Sequence, residues 1–245
     1  MPLPVSNSHA ADRPAFGRNL TYGMLDALGR AIVIGEYETV GFPTEAELAK
    51  QNGVSRSVTR EAVKMLTAKG LLSARPRQGT VVQPASSWNL FDPDVLRWLL
   101  ERKFSIDLLR QFSQLRVAIE PEAAALAACF AGEADRTAIA DGLRRMREAE
   151  LGHEDTLDAD IAFHVAVLHG SKNPFYAQFR DVVSTALRTS IRFTNRMKGH
   201  SASIRDHEAV ANAIASGDAA SAREAMRGLI QDVIDLIDQV ERERS

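Results

Sequence analysis

PTEAELAKQNGVSRSVTREAVKMLTAKGLLSARPRQGTVV, residues 43–82, carries the signals that decide the fold. Thr44 and Glu47 make a capping box, each able to satisfy a free amide at a helix start, and predict a helix through Gln51. Asn52-Gly53 is a strong turn pair. Ser55 then caps a further helix whose inward face is Val58, Ala62, Met65 and Leu66, and Lys69-Gly70 marks its end. Beyond Gly70 the apolar period shortens to two, so Leu71–Ala74 and Thr80–Gln83 pair as strands around the turn Arg75-Pro76-Arg77-Gln78-Gly79. Two helices about a short glycine turn have helix-turn-helix geometry, and a basic hairpin behind them is a wing.

Upstream, Leu20, Met24, Leu28 and Ile32, with Leu25 and Val33 beside them, form the stripe of another helix. Arg56, Ser57 and Arg60 lie in the first two turns of the helix after Gly53, clear of its apolar face, and Lys64 follows one turn on. The amino end of such a helix enters the major groove of duplex DNA. There arginine grips guanine O6 and N7 through two hydrogen bonds, a discrimination of about 1–3 kcal/mol. Thr44 and Ser55 stand at helix starts, whose amides hold phosphates, while Arg75, Arg77 and Gln78 at the hairpin tip reach phosphates or the minor groove. Between Lys50 and Thr80 seven basic residues face one acid, so a +6 segment sits on a chain of net charge −2 whose remainder carries −8. A basic run alone is usually a solvated surface; the turn, helix and hairpin around this one make it a nucleic-acid face.

These residues carry a resemblance. Pro43-Thr44-Glu45-x-Glu47-Leu48-Ala49, Gly53-Val54-Ser55-Arg56-Ser57-Val58-Thr59-Arg60-Glu61-Ala62, Leu66-x-x-x-Gly70-Leu71-Leu72 and Gly79-Thr80-x-Val82 fall in order and resemble the winged-helix domain of GntR-family transcriptional regulators. The resemblance implies that Arg56, Ser57 and Arg60 contact operator bases and that Gly79 and Thr80 shape the wing. Some members carry arginine where this chain has Ala46, which removes one base contact here.

Past the wing the pattern changes. Pro84–Ser87 reads as a linker, and Asp92-Pro93, a cap followed by proline at the first helical position, opens a helix through Arg102. The remainder reads as helices over roughly 105–130, 134–151, 155–169, 174–197, 201–216 and 218–242, and Pro121 is expected to kink the first of them. The expected fold is mainly α: a tail over 1–19, a winged helix-turn-helix over 20–84, a linker and connecting helix over 85–104, and an all-α bundle over 105–242.

Polar residues on the apolar stripes of that bundle are the second functional signal. Leu157, Asp160, Ile161, His164 and Leu168 share one stripe, and Ile204, His207, Ala211 and Ile214 another. An inward carboxylate needs a partner, so Asp160 with two inward histidines suggests a divalent metal or an anion in the bundle, although inward histidines also occur as satisfied core residues. Arg116, four residues before Glu120, is either half of a surface ion pair or an internal guanidinium that grips a ligand carboxylate. Ser203, one turn before His207, is placed to meet a ligand hydroxyl.

The resemblance extends over this half. Arg116-x-x-x-Glu120-Pro121, Asp160-x-x-Phe163-His164, Asn173-Pro174 and Asp206-His207-x-x-Val210 look like the helical effector domain of the FadR subfamily. It implies a homodimer that binds a small organic acid, and in many members a zinc-like divalent ion held by an aspartate and three histidines. Asp160, His164 and His207 match three of those ligands, but Leu229 replaces the fourth and cannot ligate. Trp88-Asn89-Leu90-x-Asp92-x-Asp94-Val95-Leu96-x-Trp98 is similar to the linker of galactonate-type, sugar-acid-responsive repressors.

Composition fits an intracellular binding protein. The 245 residues are 45% hydrophobic and 25% charged, and the single cysteine, Cys129, excludes an internal disulfide and multi-cysteine zinc modules. No apolar run approaches the roughly 18–20 residues that cross a bilayer, and no apolar core follows a basic start in the first 19 residues, so a cytoplasmic protein is expected. The reading is a dimeric regulator, not an enzyme, that represses from a palindromic double-stranded operator until a sugar acid releases it. The rivals are a metal-dependent hydrolase built on Asp160, His164 and His207, and a DNA-binding scaffold without an effector.

Overall fold

Helix α1 (Arg13–Ile34), helix α2 (Glu45–Asn52), helix α3 (Arg56–Ala68) and the antiparallel pair β1 (Leu72–Arg75) and β2 (Gly79–Val82) follow one another where the capping and turn signals place them. The computed structural model describes residues 13–77, 79–102, 105–194 and 203–244, and the chain divides into two units, 1–103 and 104–245. Of the tail expected over 1–19, residues 1–12 lie outside the described residues and 13–19 belong to α1.

In the first unit both caps form. Thr44 accepts the Glu47 amide while the Glu47 carboxylate accepts the Thr44 amide, and Ser55 accepts the amide of Val58. Gly53 closes α2 in the left-handed region, at φ 63°, where a side chain would be strained. The inward face of α3 is wider than its spacing suggested: Thr59 and Val63 are buried with Ala62 and Leu66, while Val58 and Met65 are half-buried. On α1, Met24, Leu25, Leu28, Ile32 and Val33 enter the core, but Leu20 is exposed.

Helix α4 (Pro93–Leu99) ends before the expected Arg102, and its Val95, Trp98 and Leu99 pack into the core of this unit. Its Trp98 is fully buried, and the indole N–H donates to Asp26 Oδ1 of α1 at 2.8 Å. Only glycine fits opposite it, since a Cβ on Gly29 would fall 2.2 Å from the ring. Lys69, at the end of α3, donates to Asp92 and pairs with Asp94 at 2.7 and 2.8 Å. The +6 segment therefore spends one of its cations on tying α3 to α4.

The second unit is all helix: α5 (Ile106–Phe130), α6 (Glu133–Glu150), α7 (Thr156–Gly170), α8 (Pro174–Ala177), α9 (Arg180–Thr194), α10 (Ile204–Ser216) and α11 (Ala219–Arg244). Ala124, Ala127 and Ala128 give α5 a small-residue face against Phe163 and Val167 of α7, Val210 and Ile214 of α10, and Met226 and Ile230 of α11. Arg223–Glu122 and Arg110–Asp238 pairs tie α11 to α5. Helix α5 runs unbroken through Pro121, whose missing N–H leaves the Val117 carbonyl without its usual donor. The helix expected over 174–197 is two: Gln178 and Phe179 bond back three residues, to Phe175 and Tyr176, and that tight turn lets Tyr176 and Phe179 both pack on Ile119, Leu168, Val183 and Leu187. Its last residues, 195–197, lie outside the described ones. Among the described residues no helix is long and apolar enough to cross a membrane.

Candidate functional site

The first unit presents the expected cationic surface. Arg56, Ser57, Arg60 and Lys64 are all exposed on α3, opposite its buried Thr59, Ala62, Val63 and Leu66. Arg60 Nε rests 3.3 Å from Glu45 Oε2 at the start of α2, and Lys64 Nζ lies 2.9 Å from Glu61. Arg56, and Arg75 and Arg77 on the hairpin, make no ion pair with any described residue, so their charge is free for an anionic partner. Arg77 has φ 64° and Gly79 φ 77°, so the hairpin tip turns on two left-handed residues, one of them strained because it carries a side chain. Gln78, between them, lies outside the described residues. Thr80 is half-buried, and the Thr44 and Ser55 hydroxyls are engaged as caps.

Lys69 was counted in the same charged run but is withdrawn from that surface, with a side chain only 13% exposed. Burial alone would lower its pKa; Asp92 and Asp94 outweigh that and raise it. Its two partners lie more than twenty residues downstream, beyond the reach of local spacing.

The second unit encloses a polar cluster. Arg116 and Glu120 on α5, Asp160 and His164 on α7 and His207 on α10 are at most 4% exposed. The surface ion pair weighed for Arg116 and Glu120 is thus an internal one, with Arg116 Nε donating to Glu120 Oε1 at 2.5 Å. Glu120 also accepts from His164 Nδ1 through its other oxygen, a contact that the sequence spacing did not suggest. Arg116 Nη2 lies 3.3 and 3.4 Å from the two nitrogens of His164, against the ring as a whole.

Around Nε2 of that ring three donor atoms converge. His207 Nε2 is 3.0 Å from Asp160 Oδ1 and 3.3 Å from His164 Nε2, and His164 Nε2 is 3.5 Å from Asp160 Oδ1. Cis ligands on a divalent metal with bonds of about 2.1 Å stand about 3.0–3.4 Å apart, so the triangle has the dimensions of one face of a coordination shell. The tautomers agree. His207 Nδ1 donates to the Ser203 carbonyl at 2.8 Å and His164 Nδ1 to Glu120, which turns both Nε2 lone pairs toward Asp160. Three lone pairs facing one point repel unless a cation, proton or metal ion, stands between them.

Electrostatics follow from the packing. Burial alone would raise the Glu120 carboxyl, but Arg116 and His164 outweigh it and hold the group down at about 2. Burial is likewise overcome at Asp160 by the hydrogen bonds that His164 and His207 donate when Nε2 carries a proton, and these lower it far below the usual carboxylate range. His164 is raised: burial opposes its charge, and Glu120 and Asp160 favour it more strongly.

Two expectations shift. Ser203 is exposed and its hydroxyl caps α10 by accepting the Asp206 amide, so its part in the cluster is played by the backbone carbonyl. The inward face of α7 includes Phe163 and Val167 beside Asp160, His164 and Leu168, and the Phe163 ring sets its edge against His207 at a centroid distance of 4.9 Å. Leu229 is half-buried against the apolar core around Met226 and brings no donor.

Comparison with known proteins agrees with this division. Residues 25–82 match the model of bacterial regulatory proteins of the gntR family, and residues 111–232 match the FCD domain. The chain is 34% identical over 234 residues to the HTH-type transcriptional regulator YieP of Escherichia coli, covering 94% of this chain and 98% of that protein. It is 32% identical over 217 residues to the galactonate operon transcriptional repressor of the same organism, covering 86% and 94% of the two chains. Among solved structures, E. coli McbR/YncC shares the fold at a TM-score of 0.52, with 19% identity over 91% of this chain and 98% of that one.

Proposed function

The chain belongs to the GntR family and is a DNA-binding transcriptional regulator with an FCD domain, and from that premise we propose that it is a cytoplasmic homodimeric repressor of a catabolic operon, released from a palindromic operator by a small sugar acid. In this reading Arg56, Ser57 and Arg60 meet base edges, and Thr44, Ser55 and Lys64 meet phosphates. The hairpin residues Arg75, Arg77, Gln78, Gly79 and Thr80 follow the adjoining groove. Two copies of α3 read the two half-sites, at a spacing set by the dimer.

The buried cluster is the observation that carries the effector half of the proposal. A guanidinium and three convergent donors in a protein interior need anionic and cationic company, which a structural core would not build for itself. Asp160 Oδ1, His164 Nε2 and His207 Nε2 would hold a divalent ion, and such an ion supplies positive charge and open positions for a carboxylate. With Leu229 in place of a fourth ligand, the protein gives three donors, and an exchangeable ligand would complete the shell. Arg116 and a divalent ion set against Asp160 and Glu120 leave one positive charge when both imidazoles are neutral, which suits one carboxylate. The metal-dependent hydrolase on the same three residues is set aside, because the family and its relatives are transcriptional regulators. The name of the galactonate repressor favours an aldonate as the acid.

An effector changes operator affinity only if it binds the DNA-competent and incompetent states unequally. The test is a thermal-shift panel of aldonates, D-galactonate included, with and without a chelator, followed by release from a duplex selected out of a random pool. Stabilisation that the chelator removes, together with release of the duplex, is the expected result. No stabilisation by any aldonate would overturn the effector class, and stabilisation untouched by the chelator would overturn the metal.

A further inference from the structure

The buried cluster holds two kinds of binding group side by side, a guanidinium suited to an acid and three donors suited to a metal. Glu120 touches both. Its Oε1 accepts from Arg116 Nε at 2.5 Å and its Oε2 accepts from His164 Nδ1, and Oε2 is also 3.4 Å from Arg116 Nη2. The carboxylate is 1% exposed, so water does not compete for either oxygen.

We propose that Glu120 is a positioning residue that aims the acid-binding and metal-binding groups together. By engaging the Nε side of the guanidinium it leaves Nη1 unengaged by Glu120 and fixes the direction in which Arg116 faces a carboxylate. By taking the His164 Nδ1 proton it forces the tautomer whose Nε2 points at Asp160 and His207. One side chain thus sets two binding groups on two helices, α5 and α7, and a change at Glu120 is felt by both. An amide in its place has one oxygen and one N–H2 group. Its oxygen serves either donor and its N–H2 then faces the other, so the glutamine variant must release Arg116 or His164, or hold His164 in the tautomer whose Nε2 carries the proton and cannot ligate.

This inference rests on the metal reading above, and the test separates the two. The full-length protein is titrated with Co2+, whose visible d–d bands report coordination, and then with D-galactonate. Glu120→Gln is expected to weaken Co2+ binding about 10–100-fold, the usual effect of removing a carboxylate behind a ligating histidine, and to shift the bands. The same variant is expected to lose affinity for the aldonate. A folded Glu120→Gln protein that binds Co2+ as tightly as the wild type, with the same bands, overturns the role of Glu120 alone. Wild-type protein that develops no bands overturns the metal reading and this inference with it. Should the variant not fold, long-range 1H–15N correlation on Zn2+-loaded wild type decides: His164 bound through Nε2 with its proton on Nδ1 supports the proposal, and His164 bound through Nδ1 overturns it.

Discussion

The two units handle charge in opposite ways. On the first, Arg56, Arg75 and Arg77 are exposed and unpaired with any described residue, and Arg60 and Lys64 are held only by solvent-facing partners. In the second, Arg116, Glu120, Asp160, His164 and His207 are buried and lie against one another. A cationic surface open to water keeps its charges loosely held, because water and salt already screen them and little is lost by releasing them. A site inside a bundle has no such freedom. Each buried charge must be matched before any ligand arrives, and the match itself fixes the geometry that a ligand will find.

Acid should separate the units most clearly. Asp160 lies far below its ordinary value and Glu120 is held at about 2 against an ordinary 4.5, so their stabilisation is complete above the unfolded values and is lost as pH falls toward the folded ones. The raised His164 runs the other way: its contribution is present below its ordinary 6.5 and fades as pH rises through the raised value. Both tryptophans, Trp88 and Trp98, belong to the first unit, whereas most of the helix belongs to the second. Below about pH 4.5 the far-UV helical signal is expected to fall before tryptophan emission moves. The first unit's lowered carboxylates, Asp26, Glu47 and Asp94, are partly or largely exposed and screened. Coincident transitions would erase the distinction.

A matched pair of substitutions tests the same contrast at neutral pH. Arg116→Met removes the guanidinium from the buried Glu120 carboxylate and leaves it His164 alone, and urea denaturation should record a loss of about 3–5 kcal/mol. Arg60→Met removes an exposed pair with Glu45 and should cost at most about 1 kcal/mol. Comparable losses would mean that the internal pair is no more than a surface ion pair under cover.

On the DNA side the expected effects are smaller and differ in kind. Arg56→Ala should narrow the gap between a selected operator and a scrambled duplex by about 1–3 kcal/mol in gel-shift titration. Lys64→Ala should weaken both duplexes alike and reduce the salt slope by about one. Equal losses on both duplexes for Arg56→Ala would make it a phosphate contact and not a reader of bases.

How much of this was legible beforehand differed between the units for one physical reason. Capping boxes, the Asn52-Gly53 turn, the outward Arg56, Ser57 and Arg60 and the paired strands are fixed by neighbours within a few residues, and spacing reads them directly. The inward placement of Asp160, His164 and His207 was legible too, because it follows from helical period. The bond from His164 to Glu120 joins positions 44 residues apart, and the one from Trp98 to Asp26 spans 72. Neither leaves a trace in local pattern.

The amino-acid order alone determined where most helices lie, which faces are apolar and which side chains stand outward on α3, since these depend on short-range sterics and on water. Only the packing of helices decided that Lys69 leaves the cationic face for Asp92 and Asp94, that Ser203 serves through its carbonyl, and that Glu120 is shared between Arg116 and His164. Those are choices among possible partners, and a buried charge chooses by which opposite charge the folded chain brings within reach.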